Sequence, residues 1–264
     1  MGEKKLRGRP ESLYDVTTKY CSGCGHGVVH RIITEIIDEM GLREKTILLN
    51  PVGCSVWADL YFDTDTVQPP HGRTPAAATG IKRILNDHLV ICYQGDGDMA
   101  AIGTAEMIHA ANRGEKFTTI FVNNAIYGMT SGQMAPTTLI GQKSATSTGG
   151  RDPVHAGMGF PIKVCELLKT LDGTAYIARG SVHNAVCARK TKNLIREAFN
   201  LQMSGVGSTI VEILAQCPTN WGVNTLESVT WLEENMIPVF PLGVIKDIRT
   251  QEAKPLAALH EGAA

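Results

Sequence analysis

HLVICYQGDGD, residues 88–98, is the stretch that most strongly predicts the fold. It begins as a nearly continuous apolar run, and Gly95-Asp96-Gly97-Asp98 follows without a break. Such runs are typical of strands buried on both faces of a parallel sheet. Comparable runs occupy residues 45–50, 117–123, 174–179 and 208–215.

Amphipathic helical patterns alternate with these runs, at residues 26–40, 74–85, 104–113, 162–171 and 183–203. Alternating strands and helices predict an α/β fold: an open, mostly parallel sheet with helices on both faces. We expect this domain over residues 1–216. Residues 217–264 lack clear periodicity and are expected to form an irregular extension, packed on the domain or on a partner.

The charge balance excludes several classes of function. Lys and Arg total 25 and Asp and Glu total 26, for a formal charge of −1. A nucleic-acid module would carry a basic stripe, and a polybasic membrane anchor would carry excess positive charge. No apolar run approaches the roughly 18 residues of a membrane-spanning helix. The basic start has no apolar stretch of a secretory signal after it, so we expect a cytoplasmic protein without nucleic-acid or membrane partners.

The Gly95–Asp98 turn lies where a strand meets a helical pattern. Glycines at such a turn let backbone N–H groups approach a phosphate. Asp96 would repel that phosphate unless a cation lay between them, and Mg²⁺ prefers oxygen ligands shared by carboxylates and phosphates. The next strand ends in Asn123-Asn124, and open α/β sheets bind ligands at strand carboxyl ends. The plain alternative is an acidic turn with two loop asparagines.

G-D-G, a helix, a strand and N-N together resemble the thiamine-diphosphate-binding motif. Its two ligand positions, Asp96 and Asn124, are 28 residues apart. The resemblance implies that these side chains and the carbonyl of Ile126 hold Mg²⁺. With the loop that follows N-N, the residues so assigned to the cofactor are Gly95, Asp96, Gly97, Asp98, Asn124, Ile126, Gly128, Met129 and Thr130.

The cysteines form a second pattern. A disulfide framework is unexpected in a cytosolic chain. Four of the seven lie in loop-like contexts: Cys21, Cys24, Cys54 and Cys217. Four such thiols suit tetrahedral zinc or a [4Fe–4S] cluster, which composition does not separate, whereas a thioredoxin-like C-x-x-C explains only the first two. The other three are expected to be small buried hydrophobes: Cys92, Cys165 and Cys187.

The motifs taken together resemble the β subunit of 2-oxoacid:ferredoxin oxidoreductases over residues 20–222. They are Cys-x-x-Cys-Gly-His-Gly, Gly-Cys-Ser, His-Gly-Arg, G-D-G-D, N-N and a late Cys-Pro. The resemblance implies that the four loop cysteines carry one [4Fe–4S] cluster close to the thiamine. It also implies coenzyme A-dependent oxidative decarboxylation of a 2-oxoacid to an acyl-CoA and CO₂, with electrons passed to ferredoxin.

The same resemblance implies partners. Family members take the glutamate that activates the aminopyrimidine ring from another subunit, so an α subunit is expected. A γ subunit and a ferredoxin-like δ subunit are expected with it. The stretches at residues 123–138 and 141–152 look most like the branched-chain (2-oxoisovalerate) type, with the 2-oxoglutarate type next.

His26 and Arg73 are the candidate catalytic residues. His26 would contact the cofactor or merely satisfy its turn. Arg73, in His71-Gly72-Arg73, would bind a substrate carboxylate or a coenzyme A phosphate through its forked donors, or be a surface arginine. The basic segment at residues 188–196 is interpreted as a solvated helix face rather than a docking site for coenzyme A or ferredoxin.

Two rival functions remain at this stage. A non-oxidative thiamine-dependent decarboxylase or synthase subunit would keep Asp96 and Asn124 but have no use for the four loop cysteines. A non-catalytic scaffold subunit bearing zinc or a cluster would keep the cysteines but have no need of G-D-G and N-N.

Overall fold

The computed structural model describes residues 8–250. Seven strands form one sheet in the order β2-β1-β3-β4-β6-β5-β7, parallel throughout except for the β5/β7 pair. The strands are β1 Thr46–Leu49, β2 Asp65–Val67, β3 Leu89–Gly95, β4 Thr118–Asn123, β5 Thr174–Ser181, β6 Ser208–Leu214 and β7 Gly243–Asp247. The predicted open, mostly parallel sheet is confirmed.

Helices cover both faces of this sheet. They are α1 His26–Met40, α2 Thr74–Ile84, α3 Thr104–Asn112, α4 Val164–Leu168, α5 Ala185–Met203, α6 Pro218–Trp221, α7 Thr225–Trp231 and α8 Ile237–Val239. Alternation along β3 separates the faces: Ile91 and Tyr93 pack against α1 and α5, whereas Val90 and Cys92 pack against α2 and α3. Cys187 is only partly buried, unlike the expectation for it. No helix in residues 8–250 is long and apolar enough to cross a membrane.

The predicted elements match closely where the apolar pattern is strong. The five predicted strands and most helices end within two residues of the observed ones. Helix α4 is the exception, because only Val164–Leu168 of the expected 162–171 is helical. Strands β2 and β7 were not predicted, since both are edge strands with few buried residues and lack an apolar run.

The expected irregular extension after residue 216 is wrong for much of its length. Helices α6, α7 and α8 form there, and β7 joins the sheet beside β5. Apolar residues of this helical segment pack against the loop that follows β4, through a cluster that includes Leu139, Leu232 and Phe240. The domain boundary itself stays a prediction, and residues 1–7 and 251–264 lie outside the described part.

The basic face of α5 has local partners. Lys192 pairs with Glu35 and Glu39 of α1, and Arg196 also pairs with Glu39. These pairs join the two helices that cover one face of the sheet. These ion pairs favour the interpretation of residues 188–196 as a helix face over that of a docking site.

Candidate cofactor site

A cavity of about 330 Å³ opens at the carboxyl ends of β3 and β4. These strands are direct neighbours, with Gly95 opposite Val122, so the Gly-Asp-Gly-Asp and Asn-Asn turns meet at one edge. All nine residues assigned to the cofactor by the thiamine motif line the cavity. His26 and Cys54 line it as well.

Asp96 is the buried carboxylate of the cavity. Its Oδ1 accepts the N–H of Gly97 at 2.8 Å. Its Oδ2 accepts the N–H of Ile126 at 3.2 Å and the hydroxyl of Thr137 at 2.8 Å. Burial raises the pKa of Asp96 to about 7 against these hydrogen bonds. All three partners are neutral donors, so a cation beside the carboxylate would stabilise its charged form.

Asn124 faces Asp96 from the end of β4. Its Oδ1 and Asp96 Oδ2 accept the same N–H, that of Ile126. The intervening Ala125 has a positive φ of 57°, which only a well-held turn maintains for a residue with a side chain. The Ala125 carbonyl accepts from Thr138 at 2.7 Å and from Gln142 at 3.0 Å. The carboxylate, the amide and the turn therefore form one fixed oxygen-rich corner.

Gly97 leaves room for an aromatic wall. A Cβ on Gly97 would lie 2.5 Å from the ring of Tyr127, closer than real Cβ contacts come. Tyr127 itself lines the cavity, shortly after the Asn-Asn turn. The glycine is thus required for the close approach of the β3 and β4 turns.

Asp98 has a different role from Asp96. Its buried carboxylate accepts from the backbone of Gly72 at 2.6 Å and from the side chain of Gln94 at 2.6 Å, and pairs with His71 at 2.5 Å. Its Oδ1 is therefore committed to the turn before α2, and its Oδ2 to Gln94 of β3. The cofactor-binding assignment of Asp98 stays a prediction, but its contacts are those of a residue that fixes His71 at the cavity.

The structure does not bring Arg73 to the cavity. Its guanidinium is half exposed and pairs with Glu106 of α3. His71, two residues earlier, lines the cavity instead. Of the His71-Gly72-Arg73 motif, the histidine therefore faces the cavity and the arginine faces α3.

His26 lies between the cavity and the core. It is buried at the start of α1, stacks on Tyr20 and shares a 2.5 Å hydrogen bond between Nδ1 and the hydroxyl of Tyr93. Burial lowers the pKa of His26 to about 4. The ring is neutral at physiological pH and suits a packing or hydrogen-bonding role at the cavity wall.

The four loop cysteines gather at this wall, and Cys54 is part of it. A Cβ on Gly128 would lie 3.1 Å from Sγ of Cys54 and 3.7 Å from Sγ of Cys217, so both thiols border one cavity residue. Cys21 and Cys24 close a short turn before α1, where Gly25 bonds to Gln216 next to Cys217. Burial, together with negative charge on Cys217 and Cys21, raises the pKa of Cys24 and of Cys54 to about 12.

The gathered cysteines are free thiols. Within residues 8–250, no group of three or more His, Cys, Asp or Glu side chains is arranged to hold a metal ion. Hydrogen-bond donors nevertheless face the sulfurs: the backbone N–H of His26 donates to Cys24, and Asn220 donates to Cys217.

The loop expected to border the cofactor begins at Gly128. Met129 and Thr130 line the cavity, and the Thr130 hydroxyl bonds to Gln133 rather than into the cavity. Residues 130–153 form a long irregular stretch, with turns and isolated bridges in place of helices or strands.

Several known proteins are similar to this chain in sequence. The thiamine pyrophosphate enzyme, C-terminal TPP binding domain, matches residues 52–213. Ketoisovalerate oxidoreductase subunit VorA of Methanothermobacter marburgensis is 46% identical over 96% of this chain and 54% of its own length. 2-Oxoglutarate synthase subunit KorB of Archaeoglobus fulgidus is 34% identical over 83% of this chain and 76% of its own. The chain belongs to the 2-oxoacid:ferredoxin oxidoreductase family.

A solved member of the family has the same fold. The 2-oxoglutarate:ferredoxin oxidoreductase from Magnetococcus marinus, with 2-oxoglutarate, coenzyme A and succinyl-CoA bound, superposes with a TM-score of 0.74 at 27% identity. The match covers 87% of this chain and 74% of that one. The chain spans about half the length of the VorA subunits that it matches at 45–46% identity.

Two residues that stabilise the loops around the cavity were not predicted from the sequence. Buried Arg151 donates to backbone carbonyls of its own loop, among them that of Thr138, whose hydroxyl holds the Ala125 turn. Asn220 bonds to Gly128 across 92 residues. A lone arginine and a lone asparagine in polar segments carry no pattern that would predict such contacts.

Proposed function

We propose that this chain is the thiamine-diphosphate-binding β subunit of a 2-oxoacid:ferredoxin oxidoreductase. The proposed reaction converts a 2-oxoacid, coenzyme A and oxidised ferredoxin to an acyl-CoA, CO₂ and reduced ferredoxin. The observation that carries the proposal is the common wall of two sites. Gly128 lines the cavity that holds Asp96 and Asn124, and the same glycine borders the thiols of Cys54 and Cys217.

The Asp96–Asn124 corner is proposed to hold Mg²⁺ and the cofactor's diphosphate. Both side chains offer oxygens, the buried Asp96 has only neutral donors as partners, and Ile126 adds a carbonyl to the same turn. These are the ligands that Mg²⁺ prefers. Thiamine diphosphate, when bound, supplies a carbanion and an electron sink. The chain's own contribution is to orient that cofactor and to exclude water.

The four cysteines are proposed to hold a [4Fe–4S] cluster. The four thiols lie close enough to influence one another's pKa, and hydrogen-bond donors face the sulfurs of Cys24 and Cys217. A redox group beside the cavity is what distinguishes the oxidative from the non-oxidative reaction.

Partner subunits are part of the proposal. The cavity is open, and among the described residues no glutamate lines it. An α subunit that brings the pyrimidine-side glutamate would complete the site, with γ and ferredoxin-like δ subunits and ferredoxin as the electron path. A cytoplasmic location belongs to the same proposal, because reducing compartments keep such thiols from forming disulfides.

The substrate proposed first is 2-oxoisovalerate, with 2-oxoglutarate second. The support is graded identity: 46% and 45% to ketoisovalerate oxidoreductase subunits, against 34% and 33% to 2-oxoglutarate synthase subunits. Arg73 is not favoured as the group that binds the substrate carboxylate, because Glu106 already pairs with it.

The deciding experiment is a metal and turnover analysis of the anaerobically purified complex, co-expressed with its partner subunits. We expect about four irons and four acid-labile sulfides per chain. With coenzyme A present, 2-oxoisovalerate should reduce the cluster faster than 2-oxoglutarate does. About one zinc without sulfide would contradict the redox function, and CO₂ release without cluster reduction would favour the non-oxidative alternative.

A further inference from the structure

Asn220 connects a proposed cluster ligand to the wall of the cofactor cavity. Its side-chain Nδ2 lies 3.2 Å from Sγ of Cys217 and 3.2 Å from the carbonyl oxygen of Gly128. Sulfur and carbonyl oxygen both act as acceptors, so the two contacts fix the amide with its NH₂ group between them. The amide oxygen points the other way, toward the position where Gly132 lacks a Cβ.

The chain supplies this donor locally. Cys217 precedes the four-residue helix α6, and Asn220 lies in that turn, where both its backbone and its side chain donate to the Cys217 sulfur. Cys24 receives a backbone N–H, from His26. A backbone donor survives most substitutions, whereas the Asn220 side chain can be removed. It is therefore the donor whose effect can be measured.

We propose that Asn220 is a positioning residue that raises the reduction potential of the cluster at its Cys217 corner. This inference rests on the proposed function, which supplies the cluster. A donor to a ligand sulfur stabilises negative charge there, and the reduced cluster carries more of that charge than the oxidised one. Without the amide, reduction becomes harder and the potential falls.

The test is an EPR-monitored redox titration of the anaerobic complex. Asn220→Leu removes the donor at similar size, and Asn220→Asp replaces it with an acceptor that carries negative charge. We expect a more negative midpoint potential for Leu and a still more negative one for Asp, with iron content unchanged. The control is Asn235→Leu, which removes an amide that donates to the carbonyl of Trp231 and should leave the potential as in wild type.

The outcomes distinguish a failure of the Asn220 proposal from a failure of the proposed function. An iron-loaded Asn220→Leu variant with the wild-type potential overturns the role of Asn220 and leaves the proposed function standing. Wild-type complex without iron and sulfide overturns both. Iron loss from both Asn220 variants, with wild-type thermal unfolding, also overturns tuning, because the residue would then serve cluster retention.

Discussion

The hydroxyl of Thr137 donates a 2.8 Å hydrogen bond to Oδ2 of Asp96, from a loop position 41 residues further along the chain. Both side chains are buried, and this hydroxyl is the side-chain donor that holds the carboxylate. The irregular segment after β4 is therefore part of the proposed metal corner rather than a passive connection.

Thr137→Val should weaken Mg²⁺-dependent binding of thiamine diphosphate. The substitution keeps shape but removes one donor to a charged group, a loss of about 1.5–3 kcal/mol, or roughly ten- to a hundredfold in affinity. Calorimetry on the purified chain measures it. Thr170→Val is the matched control, because that exposed hydroxyl bonds to the carbonyl of Leu167, away from the cavity. Asp96→Ala should abolish binding, and unchanged affinity in either site variant would refute the metal corner.

Gly97→Ala should impair cofactor binding for a steric reason. The new Cβ would lie 2.5 Å from the Tyr127 ring, so the ring must move into the cavity or the turn must shift. We expect at least a roughly tenfold weaker affinity for thiamine diphosphate, equivalent to about 1.4 kcal/mol, as measured by quenching of intrinsic fluorescence.

Gly80→Ala is the control for that prediction. Gly80 lies within α2, where no atom comes within 4 Å of an added Cβ. Alanine there should stabilise the fold by about 0.5–1 kcal/mol and leave the affinity unchanged. Equal effects of the two substitutions on affinity would show that Tyr127 does not depend on the glycine.

The sequence predicts the site where chemistry and strand ends coincide. Asp96 and Asn124 lie just after apolar runs, so the strand pattern predicts that both lie at strand carboxyl ends, where such sheets bind ligands. The pairing of β3 with β4 then brings them together. The position of Arg73 could not be predicted, because its partner Glu106 meets it only through the packing of α2 on α3. Strand β7 is hidden because an edge strand with exposed residues needs no apolar pattern. Long-range contacts of single polar residues produce no periodic pattern in the sequence, so they could not be predicted from it.

Cys217→Ser should lower the iron and sulfide content of the complex. A serine oxygen is a poor ligand for iron in a cluster, and Cys217 lies with Cys54 at the Gly128 wall. Cys92→Ser is the control, because Cys92 is buried in the sheet among apolar neighbours of α2 and α3. Colorimetric iron and sulfide assays on both variants check this. Equal iron in wild type and Cys217→Ser would remove Cys217 from the ligand set.

Arg179→Met should destabilise the fold strongly. Arg179 and Glu212 are both buried and paired at 2.7 Å, and Glu212 also accepts from Asn123 at 2.7 Å, directly before the metal corner. Removal of the arginine leaves a buried carboxylate unpaired, at a cost of about 3–5 kcal/mol. Urea unfolding of the chain measures the loss.

The matched control is Arg249→Met, which removes a half-exposed guanidinium that pairs with Glu197 and Asp247. Such surface pairs contribute about 0–1 kcal/mol. Adding Glu212→Gln to Arg179→Met should restore part of the stability, because the unpaired charge is then gone. If the double variant is no more stable than the single one, the cost lies in packing rather than in charge.

His30 should make the fold sensitive to acid. It is buried among aromatic rings of Tyr20, Tyr61, Phe62 and Tyr93, and burial with the nearby His26 holds its pKa well below the ordinary 6.5. Below pH 6.5 the unfolded chain therefore binds a proton that the folded chain excludes, so stability is complete above that pH and falls as the pH is lowered. His30→Phe should flatten this fall in urea unfolding between about pH 7 and 5. Identical slopes for the two proteins across that acid range would show that His30 is not the responsible group.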